Sequence, residues 1–153
     1  MPRRHLIQMT EDEVSAFLAE PHKLHVATIG GDGTPHLVPV AYTLLDGNVA
    51  FLTDARSRKV MNLRRDPRIA CLAEVGELYE NRRGVLLTGR AHIVEDPELL
   101  RRVGEALHQR YESHLPDTWG ADVATLALER PVVILVTAER VVSWDHGKLA
   151  GAY

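Results

Sequence analysis

Apolar positions along the chain follow two different periods. In TEDEVSAFL, Val14, Phe17 and Leu18 fall on one helical stripe, and Thr10 with Glu13 three residues later forms a capping box, so a short amphipathic helix opens the chain. The pattern then changes to β-type runs. LHVATIG and PHLVPVAYTLL flank the glycine-rich turn GDGT, and a second turn at Asp46 to Asn48 leads into VAFLT, which predicts a three-strand meander by residue 53. RIACLAEV and GVLLTGRAHIV read as further strands. PVVILVT and RVVSW read as a closing pair divided by a turn at Ala138 and Glu139, giving about seven strands in all.

Helical spacing returns after Asp96 and Pro97, an N-cap and first-turn proline ahead of ELLRRVGEALHQRY, where Leu99, Leu100, Val103, Ala106 and Leu107 share a face. A weaker helical stretch covers Trp119 to Leu128. No repeat, low-complexity segment or long linker divides the chain, so residues 1–153 are expected to form one domain. Many short antiparallel strands with a few peripheral helices predict a mainly β fold, a closed or nearly closed barrel, and not a doubly wound parallel sheet. Pro39 sharpens this. Within the second strand its missing donor confines it to an edge, a bulge, or a place where something other than a strand lies alongside, such as a flat ligand.

At 153 residues and 45% apolar composition, the chain can bury one sizeable core. Its formal charge of -3 gives no global basic field, which argues against nucleic acid as a partner and makes any anion site local. The single cysteine, Cys71, excludes an internal disulfide and sits in an apolar run that predicts a buried, inert thiol. The N-terminus lacks the apolar core of a signal peptide and no run reaches the length of a membrane span, so a cytoplasmic location without membrane contact is expected. The histidines form no HExxH pair, and His22 with His25 and His108 with His114 lack carboxylate or cysteine company in register, so no metal is expected. GGDGTP joins two strands and lacks GxGxxG spacing before a helix, which makes it a hairpin turn and not a nucleotide loop.

DARSRKVMNLRRDP, Asp54 to Pro67, departs from this mildly acidic background. Ser57 is a good N-cap for a short helix that Asp66 and Pro67 stop, which sets Arg58 and Lys59 in the first turn. Two cations at the positive end of a helix are misplaced unless an anion joins them. Free backbone amides, a serine hydroxyl and two cationic side chains are together the parts of a phosphate cradle.

The order of VATIGGDGTPHLVPVAY, VAFLT, SRKVMNLRRDPRIACL and GVLLTGRAHIVEDPE resembles the pyridoxamine 5'-phosphate oxidase-like superfamily of split β-barrel flavoproteins, over roughly Val14 to Trp144. NLRRDPR and SWDHGKL look most like its actinobacterial branch dependent on the deazaflavin coenzyme F420, while Ser57-Arg58-Lys59 is equally at home in the FMN-binding branch. The resemblance implies a six-stranded split barrel, a homodimer, and a cofactor in a groove between subunits. Ser57, Arg58, Lys59 and Asn62 would hold its phosphate or ribityl end. Val38, Pro39 and Val40 would lie along the ring system, Thr53 would contact the ring edge, and Arg64, Arg65, Arg82 and Arg83 would meet a longer acidic tail. The arginine and histidine that bind pyridoxine phosphates near the C-terminus of some family members are not matched, so vitamin B6 oxidation is not expected. Tyr42, Tyr79, Trp144 and His146 are the expected substrate-side residues.

A flavin-type cofactor performs hydride transfer itself, which fits a sequence without a catalytic triad or acid–base pair. No residue is assigned as catalytic, and His36 and His146 stand as candidate proton donors. The expected function is hydride transfer from reduced F420 to a small electron-poor organic acceptor. The alternatives are an FMN-dependent reductase or oxidase of the same fold, and a non-catalytic flavin- or deazaflavin-binding carrier or sensor.

Overall fold

The computed structural model describes residues 3–111 and 128–150, and the weak helical stretch from Trp119 lies outside the described residues up to Leu128. After a one-turn helix α1 (Arg4–Ile7), α2 (Glu11–Ala19) starts where its capping box puts it. The Thr10 hydroxyl accepts from the Glu13 amide at 3.2 Å, and the Glu13 carboxylate accepts from the Thr10 amide at 2.7 Å.

The strands are β1 (Leu24–Ile29), β2 (Pro35–Val40), β3 (Thr43–Leu45), β4 (Asn48–Asp54), β5 (Arg68–Val75), β6 (Arg83–Val94) and β7 (Pro131–Asp145), with α3 (Arg58–Arg65) after β4 and α4 (Pro97–Tyr111) after β6. They form one antiparallel sheet in the order β2-β1-β5-β6-β7-β4-β3. Its two ends, β2 and β3, are halves of the single run PHLVPVAYTLL, interrupted at Ala41 and Tyr42. The chain itself therefore closes the sheet into a barrel, and the expected meander runs through that broken strand. Asp46 and Gly47 both take positive φ, 51° and 84°, the turn geometry that suits the twist of a tight hairpin between β3 and β4.

Closure is incomplete. β3 pairs only with Asn48 to Ala50 of β4, and β2 pairs only with β1. The second half of β4 and the outer edge of β2 thus share no ladder, although the β3–β4 register, if continued, would set Thr53 opposite Val40 and Asp54 opposite Pro39. This is the split, and it gives Pro39 the edge position its missing donor requires.

One expectation is corrected at β7. PVVILVT and RVVSW are a single strand, and Ala138 and Glu139 make no turn; pairing with β6 steps from Thr88 opposite Arg140 to Gly89 opposite Ala138, so Glu139 is the extra residue of a bulge. β6 is long enough to hold both halves on one ladder, and a turn would have abandoned half of those hydrogen bonds.

Inside the barrel, Leu24, Val26, Phe51, Cys71, Val85 and Ile134 pack with Phe17 of α2 and with Val60 and Leu63 of α3. Burial pushes the Cys71 thiol up to about 12, which leaves it protonated and inert. On the other face of β4 and β7, Ala50 and Val133 are covered by Val103 and Leu107 of α4. No helix among the described residues is long and apolar enough to cross a membrane.

The end of α4 latches onto the end of α2. Arg110 donates to the carbonyls of Leu18, Ala19 and Glu20, acceptors that a helix C-terminus leaves unsatisfied, and its guanidinium lies 4.4 Å from the centre of the Tyr42 ring. His22 stacks on Phe17 and donates from Nε2 to the Phe17 carbonyl at 2.8 Å. Burial holds its imidazole below the ordinary 6.5, against the opposing pull of that hydrogen bond and of Glu20. The folded chain therefore prefers neutral His22. As pH falls below 6.5 the unfolded chain takes up the proton first, and stability declines down through the lower folded value. The melting temperature should drop as the pH is lowered through the ordinary 6.5, and drop less in His22→Gln. An identical slope in that variant would assign the acid sensitivity to other groups.

Candidate cofactor site

The corner between β4 and α3 is built from short-range contacts. At the end of β4, the Asp54 carboxylate accepts from the amides of Arg56 at 2.8 Å and Arg130 at 3.3 Å, bonds that hold its carboxyl below the usual range. α3 then follows, fixed from its inner side. Val60 and Leu63 are buried in the core, and Asn62, equally buried, donates to the Thr28 hydroxyl of β1 at 3.0 Å. Arg65 donates to the Asn62 side-chain oxygen at 3.0 Å and to the Ile29 carbonyl at 3.2 Å, tying the helix to the start of the β1–β2 hairpin.

What this corner leaves unpaired is its chemical content. Ser57 occupies the N-cap position with extended backbone, yet its hydroxyl makes no cap bond and lies 3.2 Å from the Thr53 hydroxyl instead. The first amides of α3 are left without a side-chain acceptor. Most neighbouring arginines have carboxylates, Arg56 with Asp54 and Glu129, Arg64 with Glu95 and Arg68 with Asp66, and Arg65 is held by Asn62 and the Ile29 carbonyl. Among the described residues Arg58 and Lys59 have none. Lys59 is half-buried, and burial alone pulls its ammonium below the ordinary value. A half-buried cation beside the positive end of a helix is an unfavourable arrangement that a bound phosphate would reverse.

Val38 and Val40 face inward opposite Val26 and Leu24, while Pro39 between them is exposed, so the three offer a ligand one backbone edge and not one side-chain face. His36 is half-buried opposite Thr28, and its Nδ1 is buried without a hydrogen-bond partner among the described residues. Thr53 is buried at the lip of the split.

Several expected contacts are corrected by partners that sequence spacing does not reveal. Asn62 has both ends of its amide engaged, so it buttresses α3 and does not face a ribityl chain. Tyr42 is fully buried and donates to the Leu18 carbonyl at 2.8 Å, which takes it away from the substrate side. Three of the arginines expected to meet a tail have partners within the chain: Arg64 pairs with Glu95, Arg65 binds Asn62, and Arg83 lies near Glu20 and over Phe17. Of that set only Arg82 lacks a side-chain partner among the described residues. Trp144 and His146 line one cavity on the β6–β7 side, and the His146 ring lies 4.4 Å from that of Tyr79. Arg4 and Arg140, which join Trp144 and His146 around that cavity, were missed, since nothing in their spacing links two arginines from opposite ends of the chain.

A barrel closed through one broken strand, split beside a cationic helix start, defines the split β-barrel class. The family model described as pyridoxamine 5'-phosphate oxidase matches residues 10–145, and the chain belongs to that family. It is 30% identical over 132 residues to an F420H(2)-dependent biliverdin reductase from Mycobacterium tuberculosis, a match covering 85% of each chain. Its fold is similar to the crystal structure of a conserved hypothetical protein from the same organism, with a TM-score of 0.87 and 39% identity over 98% of this chain and 93% of that one. HutZ, a heme storage protein from Vibrio cholerae, shares the fold at a TM-score of 0.69 with 19% identity, over 87% of this chain and 94% of its own.

Proposed function

We propose that this chain is a homodimeric split-barrel oxidoreductase that binds reduced coenzyme F420 and delivers its hydride to a small, electron-poor organic acceptor. The observation that carries this reading is the unpaired Arg58 and half-buried Lys59 at the uncapped start of α3, beside the split. The biliverdin reductase relative supports the deazaflavin over FMN.

The residues fit the phosphate end of such a cofactor. Arg58, Lys59 and the first amides of α3 hold the phosphate, and the Ser57 and Thr53 hydroxyls, already within 3.2 Å of each other, donate at its edge. The backbone edge of Val38 to Val40 borders the ring. When bound, the cofactor supplies the hydride. His36, whose Nδ1 has no hydrogen-bond partner among the described residues, would be the proton donor to a reduced acceptor. For the dimer, exposed Leu37 with half-buried Ala27, Ala70 and Leu72 makes an outward apolar strip on β2, β1 and β5.

The test is a parallel fluorescence titration of the apo-protein with F420 and with FMN, followed by oxidation assays on quinones, enones, nitroaromatics and tetrapyrroles. Preferential F420 binding with turnover is expected. Preferential FMN binding would move the chain to the flavin branch, and tight F420 binding without turnover on any acceptor would make it a carrier or sensor. Sedimentation equilibrium on the same samples reports the dimer.

A further inference from the structure

We infer that His25 makes association of two copies of this chain acid-labile, which rests on the outward strip of β2, β1 and β5 being the face that a second copy covers. His25 stands on that strip. Its outward position follows from strand alternation, since Leu24 and Val26 on either side are buried in the core. Across the sheet it lies opposite Pro39 on β2 and Leu72 on β5, and Ala27, two residues along β1, is paired with Leu37 and Ala70. Leu72 is in turn opposite Leu86 on β6, so the imidazole is the polar group within an apolar face.

The ring is half-buried in the single protomer. Its Nδ1 is buried with no hydrogen-bond partner among the described residues, while Nε2 keeps contact with solvent. A bare nitrogen at the buried end costs less than a charged N–H that nothing accepts, so the neutral ring carries its one proton on Nε2. From there it can donate to an acceptor on the second copy. Protonation adds a charge and a second N–H. In the free protomer water reaches the ring from the open side of the strip; beneath a second copy the cation would be enclosed among Pro39, Leu72 and Leu86.

Little nearby charge would compensate it. Glu74, exposed two residues beyond Leu72 on β5, is the carboxylate on this part of the face, and Lys23, exposed two residues before His25, offsets it. β2 presents Leu37 and Pro39 there, and β6 presents Gly84 and Leu86, none of them charged. A twofold dimer covers both copies of His25, so the cost is met twice. A group that is harder to protonate in the dimer than in the protomer must release protons on association, and the dimer Kd therefore rises as pH falls.

The test is sedimentation equilibrium of the full chain at about pH 8 and about pH 5.5 at one ionic strength, a range in which histidine titrates and exposed carboxylates stay largely ionised. The dimer Kd should weaken by at least about tenfold at the lower pH. His25→Gln, uncharged at both, should dimerise at about pH 8 and lose most of that dependence; His25→Leu makes the same comparison should the glutamine variant fail to fold. His22→Gln should keep the dependence, which separates the acid response of the dimer from that of protomer stability, and circular dichroism at each pH checks that the protomers stay folded. A chain that is monomeric at about pH 8 would remove the dimer itself. A dimer whose Kd does not move with pH, or moves equally in His25→Gln, would overturn the role of His25 and leave the dimer standing.

Discussion

Lys59→Ala should weaken cofactor binding by about 10- to 150-fold, or ~1.5–3 kcal/mol, the worth of a hydrogen bond to a charged group. The effect is expected to exceed that of Arg58→Ala, because Arg58 is exposed and solvent screens it, whereas Lys59 is half-buried with no carboxylate partner among the described residues. Burial already pulls the Lys59 ammonium down in the free protein, and a bound phosphate favours its charged form. Affinity should therefore fall as the solution becomes alkaline, starting at a lower pH than an exposed lysine would produce, and Lys59→Ala should flatten that dependence. Lys59→Arg, which keeps the charge, should retain more of the affinity. The check is a fluorescence titration of each variant across pH, with melting curves to confirm folding. Wild-type affinity in Lys59→Ala would remove the phosphate from this corner.

The parts of this molecule set by near neighbours in sequence were legible before the structure. Thr10 and Glu13 lie three residues apart and cap α2 as their spacing requires, and Ser57, Arg58 and Lys59 fall at the start of α3 as the charge pattern suggested. Where a partner lies far along the chain, local pattern is silent. Nothing near Tyr42 announces that Leu18 accepts its hydroxyl, and nothing near Asn62 announces Thr28. Ala138 and Glu139 read as a turn because two β-type runs flank them; only β6, pairing along its whole length, holds both runs as one bulged strand. The same limit hid the arginines around the β7 cavity, since a missing salt bridge can be seen only after every distant carboxylate has been placed.

Tyr42→Ala should cost about 3–5 kcal/mol of stability, the usual range for emptying a buried aromatic site. Tyr42 is fully buried, its hydroxyl donates to the Leu18 carbonyl at 2.8 Å, and Arg110 lies over its ring while binding the same helix end. Removing the ring therefore opens a cavity and loosens the latch between α2 and α4 together. Tyr42→Phe keeps the packing and loses only the hydroxyl, so about 0.5–1.5 kcal/mol is expected, with the Leu18 carbonyl still satisfied by Arg110. Burial pushes the Tyr42 phenol up to about 12, so it stays protonated at neutral pH with its proton already committed to a carbonyl. That is why no role in acceptor chemistry is expected of it. Denaturant midpoints measure the stability loss, and acceptor kinetics of Tyr42→Phe separate the two roles. A KM that rises with the denaturant midpoint unchanged would put Tyr42 back on the substrate side; a lowered midpoint with unchanged kinetics places its function in the core.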